Sequence, residues 1–446
     1  MRFSRRTGVR PGHLSLAALL AAALVVACNS SELLNVQAPN SVPAGILDDP
    51  TNATLMVNSV VGDFECAFGG FVTTEGLGTD ELQDATITAA NWQLDRRDDG
   101  FTSGSYGTNG CTASEGIYTP MSTARAEADA AIKRLTAWTD AQVPGSRQTL
   151  LAEANLYAGF SYATLGMAMC QAAFDVGPAV DQKGMFALAE ARFTSAITEA
   201  QAVGQTTYLN AAYVGRARVR LFQHNAAGAI ADAQLVPKGF VFNAAMDATT
   251  ARRFNHIFNT ISTNGATTVE AASRALTTET GQVDPRSATV KLTTKPADGT
   301  SLMFIPVKDN ASSLAAGEAI PEPIARYEEA QLILAEAEGG AAAVGIVNTM
   351  RAAAGLNPYT GPTDAASITN LIIGERQRVL FVEGFRAFDV ERFNLALVPA
   401  PGTSYREGGV YGHTVCLPLP DVERFNNPNI DPATLISGVQ GQFPLP

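Results

Sequence analysis

A chain of 446 residues that is 46% apolar and 17% charged can build a large core, and its composition is not that of a disordered protein. Its net charge of −12 argues against nucleic acid as a ligand, because phosphate binding needs clustered Lys and Arg. The same acidity argues against electrostatic docking onto anionic lipid.

The N-terminus reads as an export signal. Met1 to Arg10 is basic, and the apolar run from Leu14 to Ala27 is too short to cross a bilayer comfortably. It closes on Leu24-Val-Val-Ala-Cys28, which resembles a bacterial lipobox and implies cleavage before Cys28 with diacylglycerol on its thiol. Ser4-Arg5-Arg6 hints at a twin-arginine signal, but the rest of that motif is missing, so ordinary export is expected. Asn29 is not the aspartate that favours retention in the inner membrane, which leans towards the outer one. Loss of the four arginines before Cys28 takes the charge from −12 to −16. Residues 1–27 are therefore read as signal and 28–50 as a polar, Pro-containing tether. No second stretch reads as long and apolar enough to span a bilayer.

Thr51 to Ala67 has a helical pattern in Leu55, Val57, Val60, Val61 and Phe64. Phe68 to Tyr118, rich in Gly, Thr, Asp and aromatics, reads as short helices and long ordered loops. Alanine-rich helices follow over Met121–Trp138, Arg147–Met169, Met185–Val203, Tyr208–Phe222 and Ala226–Leu235. Turn signals separate them at Val143-Pro-Gly145, Gly177-Pro178, Gly204 and Asn225. Their lengths and small facing residues suggest helical hairpins of the tetratricopeptide kind, with Trp138 in the core. Lys238 to Pro321 breaks the pattern and holds two expected strands, Val290–Thr294 and Leu302–Pro306.

Helices resume at Pro323. Tyr327, Ala330, Leu334 and Ala337 form an apolar stripe that Gly339 and Gly340 interrupt. Glu383, Arg386, Asp389 and Arg392 stand three apart with alternating sign. On one helix they would be neighbours in a structural ladder of ion pairs, solvated or half-buried.

These residues carry a family resemblance. Arg326 to Glu338 (RYEEAQLILAEAE), Asn348 to Leu356 (NTMRAAAGL), and Glu375-Arg376 followed by Glu383 to Arg392 (EGFRAFDVER) resemble signature segments of the SusD/RagB family. So do Asp284-Pro-Arg286, Leu417 to Glu423 (LPLPDVE) and Asn426 to Asn429 (NNPN). The motifs run in order over about a third of the chain. The family consists of nutrient-binding outer-membrane lipoproteins. The resemblance implies a mostly α fold: one domain over 51–446, a body of tetratricopeptide-like helical hairpins with a loop-rich face and minor β. Residues 118–237 and 322–397 would form the helical scaffold, and 238–321 a loop-rich insertion.

Four cysteines remain after the signal, and an exported chain allows them to pair in three ways. Cys66 with Cys111 and Cys170 with Cys416 are preferred: the first flanks a Gly-rich region, the second would staple a helix end to the C-terminal segment. Their spacing fits no zinc motif. The chain has no G-x-S-x-G, P-loop or H-E-x-x-H, and His224, His256 and His413 lie far apart in sequence. Neither metal, cofactor nor catalytic residue is expected. Sugar binding instead needs flat apolar faces and planar polar groups. Trp92, Asp95 and Arg96, with Phe101 and Tyr106 close behind, offer that mixture and are the candidate ligand contacts. The expected function is capture of an oligosaccharide or peptide nutrient at the cell outer membrane for a SusC-like TonB-dependent transporter. The alternative is a lipoprotein scaffold of the envelope that binds no ligand; a secreted hydrolase is the remaining rival.

Overall fold

Residues 44–113 and 115–441 are described by the computed structural model. Cys28, the signal and most of the tether lie outside them. Met1–Asp48 and Asp49–Pro446 are separate units, and the first shows a short helix at Ala44–Leu47. All that follows concerns the second.

Helix α1 (Ala53–Leu77) crosses the middle of the body. It runs ten residues past the expected end at Ala67, through Gly69, Gly70 and Gly76. Propensity would stop a helix there, but packing overrides it. A Cβ at Gly69 would stand 2.7 Å from the His256 ring, so glycine is what lets the two elements touch. With Pro50–Asn52 this helix is long and apolar enough to cross a membrane by composition, which corrects the sequence reading. Its apolar side chains, Phe64, Phe68, Phe71 and Val72 among them, are nevertheless inside the protein.

Short α2 (Ala89–Asp95) belongs to the loop region. The helical scaffold then follows as α3 (Tyr118–Ala137), α4 (Arg147–Ala168), α5 (Gln182–Val203), α6 (Thr206–Phe222) and α7 (Ala226–Ala233). Each packs on the next, and α7 packs on α8 (Tyr327–Glu338), which joins the two halves of the scaffold. Capping sets the starts: Ser146, Asp181 and Asn225 each accept a backbone N–H three residues on, at 3.1, 2.8 and 3.0 Å. Phe193 is the wedge between α4, α5 and α6. Its ring meets Phe160 edge-on at 4.9 Å, and a Cβ at Gly159 would lie 2.7 Å from it. Trp138 is not in the core: it is the C-cap of α3 and half-buried.

Among the described residues the strands form four two-stranded antiparallel sheets. β1 (Leu82–Asp84) pairs with β5 (Thr267–Val269), and β2 (Gln171–Ala173) with β3 (Ala179–Asp181). β4 (Val241–Ala244) pairs with β8 (Glu322–Arg326), closing the base of the insertion. The two expected strands appear as β6 (Thr289–Lys291) and β7 (Phe304–Pro306), paired with each other. Helices α9 (Gly340–Ala353), α10 (Ala365–Val379) and α11 (Arg386–Arg392) complete the scaffold.

The expected charge ladder is corrected. Glu383 lies outside α11 and takes Lys308 at 2.6 Å and Arg326 at 3.0 Å, both from distant segments. Arg386 forks onto Asp80 at 2.7 and 2.9 Å. Only Asp389 and Arg392 pair locally, at 2.9 Å, and Asp389 also takes Arg376 at 2.8 Å. The three acids are buried, so the set is an interior lock and not a solvated stripe. Burial alone would raise the carboxyls of Glu383 and Asp389, but their cations hold both below the usual carboxylate value.

Arg218 of α6 and Glu329 of α8 form a bidentate pair at 2.6 and 2.8 Å, with both side chains almost wholly enclosed. Glu329→Gln should therefore lower the unfolding free energy by about 3–5 kcal/mol, because it strands a buried guanidinium. In urea titrations, Arg218→Met with Glu329→Leu should cost less than the single change; an equal or greater loss would show that the pair itself is the source of stability.

Candidate functional site

The loop face is assembled around Asp84, Asp95 and the C-terminal loop. Asp84, at the end of β1, takes the Thr86 N–H at 2.8 Å and its hydroxyl at 2.9 Å, which turns the chain into α2. Asp95 at the end of α2 accepts the Asp84 N–H at 2.9 Å and the Tyr405 hydroxyl at 3.0 Å. Next to it, Arg97 adopts φ 52° and sends its guanidinium inward to the carbonyls of Val398 and Pro399. The Tyr411 ring lies 4.9 Å from that guanidinium. The Gly412 N–H donates to the Arg96 carbonyl (2.8 Å) and the Thr414 hydroxyl to the Asp98 carbonyl (2.8 Å), which finishes the seam. The loop around α2 is thus bound to residues more than 300 positions later.

Trp92 is half-buried. Its indole N–H donates to the Thr86 carbonyl at 3.3 Å, and its ring lies 6.3 Å from that of Tyr405 at 51°. The exposed Ile87 is nearby in sequence. Arg96 forks onto Asp98 and reaches the Gly408 carbonyl at 3.3 Å. Arg406 is held by Asp298, Ser301 and Asp84, with the last two at 2.8 and 3.2 Å.

Two of the five sequence candidates do not face solvent. Tyr106 is fully buried, donates to the Pro418 carbonyl at 2.8 Å and meets Phe101 edge-on at 5.1 Å. Asp95 is 2% exposed, and both its bonds hold the loop together. Phe101 is partly buried against Tyr106. The partly exposed candidates are therefore Trp92, Arg96 and Phe101. Sequence reasoning missed Arg406 and the buried Tyr405 and Tyr411 that seat the loop, although two tyrosines and an arginine within a loop rich in glycine (Gly402, Gly408, Gly409) are the mixture that singled out Trp92.

Cys66 is bonded to Cys111 and Cys170 to Cys416, with Cα separations of 5.4 and 5.2 Å. The first fixes the loop region to α1 and the second fixes the C-terminal loop to the end of α4. Among the described residues no group of three His, Cys, Asp or Glu is placed to hold a metal. His256 is buried, which pulls its pKa down to about 4, and His413 pairs with Asp99 at 3.0 Å.

The fold is that of several solved proteins. A SusD superfamily protein from Bacteroides vulgatus shares 16% identity over 86% of this chain and 98% of its own, with a TM-score of 0.63. A SusD-like carbohydrate binding protein from the same organism shares 14% over 85% and 96%, with a TM-score of 0.62. A laminarin binding SusD-like protein shares 16% over 85% and 98%, with a TM-score of 0.61. The sequence profile of the SusD family matches residues 246–424. Over that segment, 179 of the 446 residues, the chain is similar to the SusD family. No curated protein matches it by sequence. The SusD profile covers the ion-paired motifs, Tyr405 and Arg406, while Trp92 and Arg96 precede it.

Burial pushes the Asp95 carboxyl from its ordinary 3.8 up to about 7, and the nearby Asp84 charge adds to this against its two hydrogen bonds. An acid whose folded pKa is raised binds protons better when folded, so its contribution to stability falls as pH rises through that interval. Asp95→Asn should therefore raise the melting temperature above about pH 7 and leave it nearly unchanged below about pH 4. Thermal melts across a pH series test this; a uniform loss at every pH would show that the carboxylate form is required.

Proposed function

We propose that this protein captures a glycan at the cell surface and passes it to a SusC-like TonB-dependent transporter in the outer membrane. The observation that carries the reading is the half-buried Trp92 ring, held by its indole N–H and seated beside Tyr405 on the loop face that also carries Arg96 and Arg406. A flat apolar face suits a pyranose ring, and fixed planar polar groups suit its hydroxyls. The SusD-like neighbours described by name as carbohydrate binding and laminarin binding support the same class of ligand.

Capture breaks and makes no covalent bond. The ring stacks on the sugar, and Arg96 and Arg406 donate outward from anchored positions. Because the loop is pinned by Asp95 and Arg97 before any ligand arrives, little ordering entropy is lost on binding. Lipid on Cys28 would hold the body at the membrane, and the tether to residue 50 would give it reach. The helical scaffold offers the surface for the transporter.

Calorimetric titration with laminarin and a panel of other glycans and peptides tests the ligand class. Trp92→Ala should weaken glycan binding by about 1–3 kcal/mol while leaving the fold intact. Unchanged affinity with unchanged stability would remove Trp92 from the site. Reducing-sugar release from the same glycans would instead favour a hydrolase, and failure to co-purify with a TonB-dependent porin encoded beside it would end the transporter assignment.

A further inference from the structure

A second cleft, of about 780 Å³, opens on the far side of the β4–β8 ribbon and shares no residue with the Trp92 face. Its floor is one face of the ribbon. The register pairs Val241 with Arg326 and Asn243 with Pro323; on β4 these alternate with the buried Phe242 and Ala244, while a register shift after Phe242 leaves two buried residues, Ile324 and Ala325, between Pro323 and Arg326 on β8. Such alternation is what puts one set of side chains into the core and the other into the cleft. Opposite the ribbon stand Met350 near the end of α9 and Val379 at the end of α10, so the long walls are apolar.

The lining also carries polar groups. Lys308 gives one of its three N–H donors to Glu383 at 2.6 Å, and its side chain remains 33% exposed. Arg286 also lines the cleft, and its Nη1 is buried without a hydrogen-bond partner. Four cations line the space (Lys238, Arg286, Lys308 and Arg326) against three acids: Asp309, Glu328 and Glu383. Glu383 is answered twice, by Lys308 and Arg326, and Glu328 is paired with Arg326. Arg286 is in turn bound by Asp284 and Glu375, so what the cleft has to spare is hydrogen-bond donors, two on Lys308 and one at the Arg286 Nη1.

Clefts of several hundred Å³ with apolar walls and a few convergent polar groups are the usual form of small-ligand sites. We propose that this cleft is a second binding site for a small amphipathic carboxylate, with its apolar body along the ribbon and its carboxylate on Lys308. A fatty-acid-like molecule and the C-terminus of an apolar peptide share that chemistry. The site stands whether or not the Trp92 face takes a glycan.

The test is calorimetric titration of the purified protein with octanoate and with N-acetyl-leucyl-leucine, each beside its uncharged amide. Saturable one-to-one binding of either acid, weakened about tenfold or more by Lys308→Met and by Val241→Trp, supports the site. Octanoate alone points to the lipid-like source, the dipeptide alone to a peptide terminus, and both to the shared chemistry. Val241 is 46% exposed on its strand, so tryptophan there fills the cleft without entering the core, and circular dichroism checks the fold. The proposal is overturned if neither acid binds saturably, if the amides bind as well as the acids, or if Val241→Trp binds like the wild type.

Discussion

Glu375 has no exposed surface, yet three arginines converge on it: Arg286 and Arg351 at 2.8 Å and Arg378 at 2.7 Å. Arg286 and Arg378 also share the enclosed Asp284, and Arg351 reaches out to Glu279. A buried carboxylate is tolerable only when its charge is answered and its lone pairs are filled. The segments around residues 284, 351 and 375 must therefore arrive together or leave bare charges in the interior. The short motifs around Asp284, Arg351 and Glu375 thus each supply part of a single charge-balanced cluster. Hydrophobic burial gives such a body its stability, while the cluster restricts which arrangement of helices can have it.

The same constraint reaches the loop face. Arg386 of the C-terminal scaffold clamps Asp80, and Glu81 beside it accepts the Val382 N–H at 3.0 Å. Those two acids stand directly before β1, whose last residue, Asp84, starts the turn into α2 and Trp92. The candidate ligand surface is thus suspended from the interior ion pairs through a few residues, and its position does not depend on the flexibility of a long loop.

How much of this was legible in the sequence depended on the range of the interaction. The helices between residues 118 and 237 were readable to within a few residues, because periodicity, Ser146, Asp181 and Asn225 act locally. The extension of α1 was not, since Gly69 is a helix breaker until His256 is seen packed on it. Even spacing from Glu383 to Arg392 suggested neighbours on one helix, and nothing in that spacing points to Lys308, Arg326 or Asp80. The same limit applied to the site. Composition pointed to Trp92 and Arg96, but it cannot separate a partly exposed aromatic from one, like Tyr106, whose hydroxyl is held inside. Tyr405 and Arg406 lie some 310 residues beyond Trp92, out of range of any local pattern.

That separation has a consequence for biosynthesis. Every chain is made from its N-terminus, so Trp92 emerges long before the residues that seat it. Until Tyr405, Arg406 and Cys416 have appeared, the loop lacks its partners and the Cys170 thiol lacks its mate. A chain truncated before residue 400 would keep every scaffold helix and yet lack an ordered Trp92 face. The candidate ligand face is the last part of this body to gain its partners.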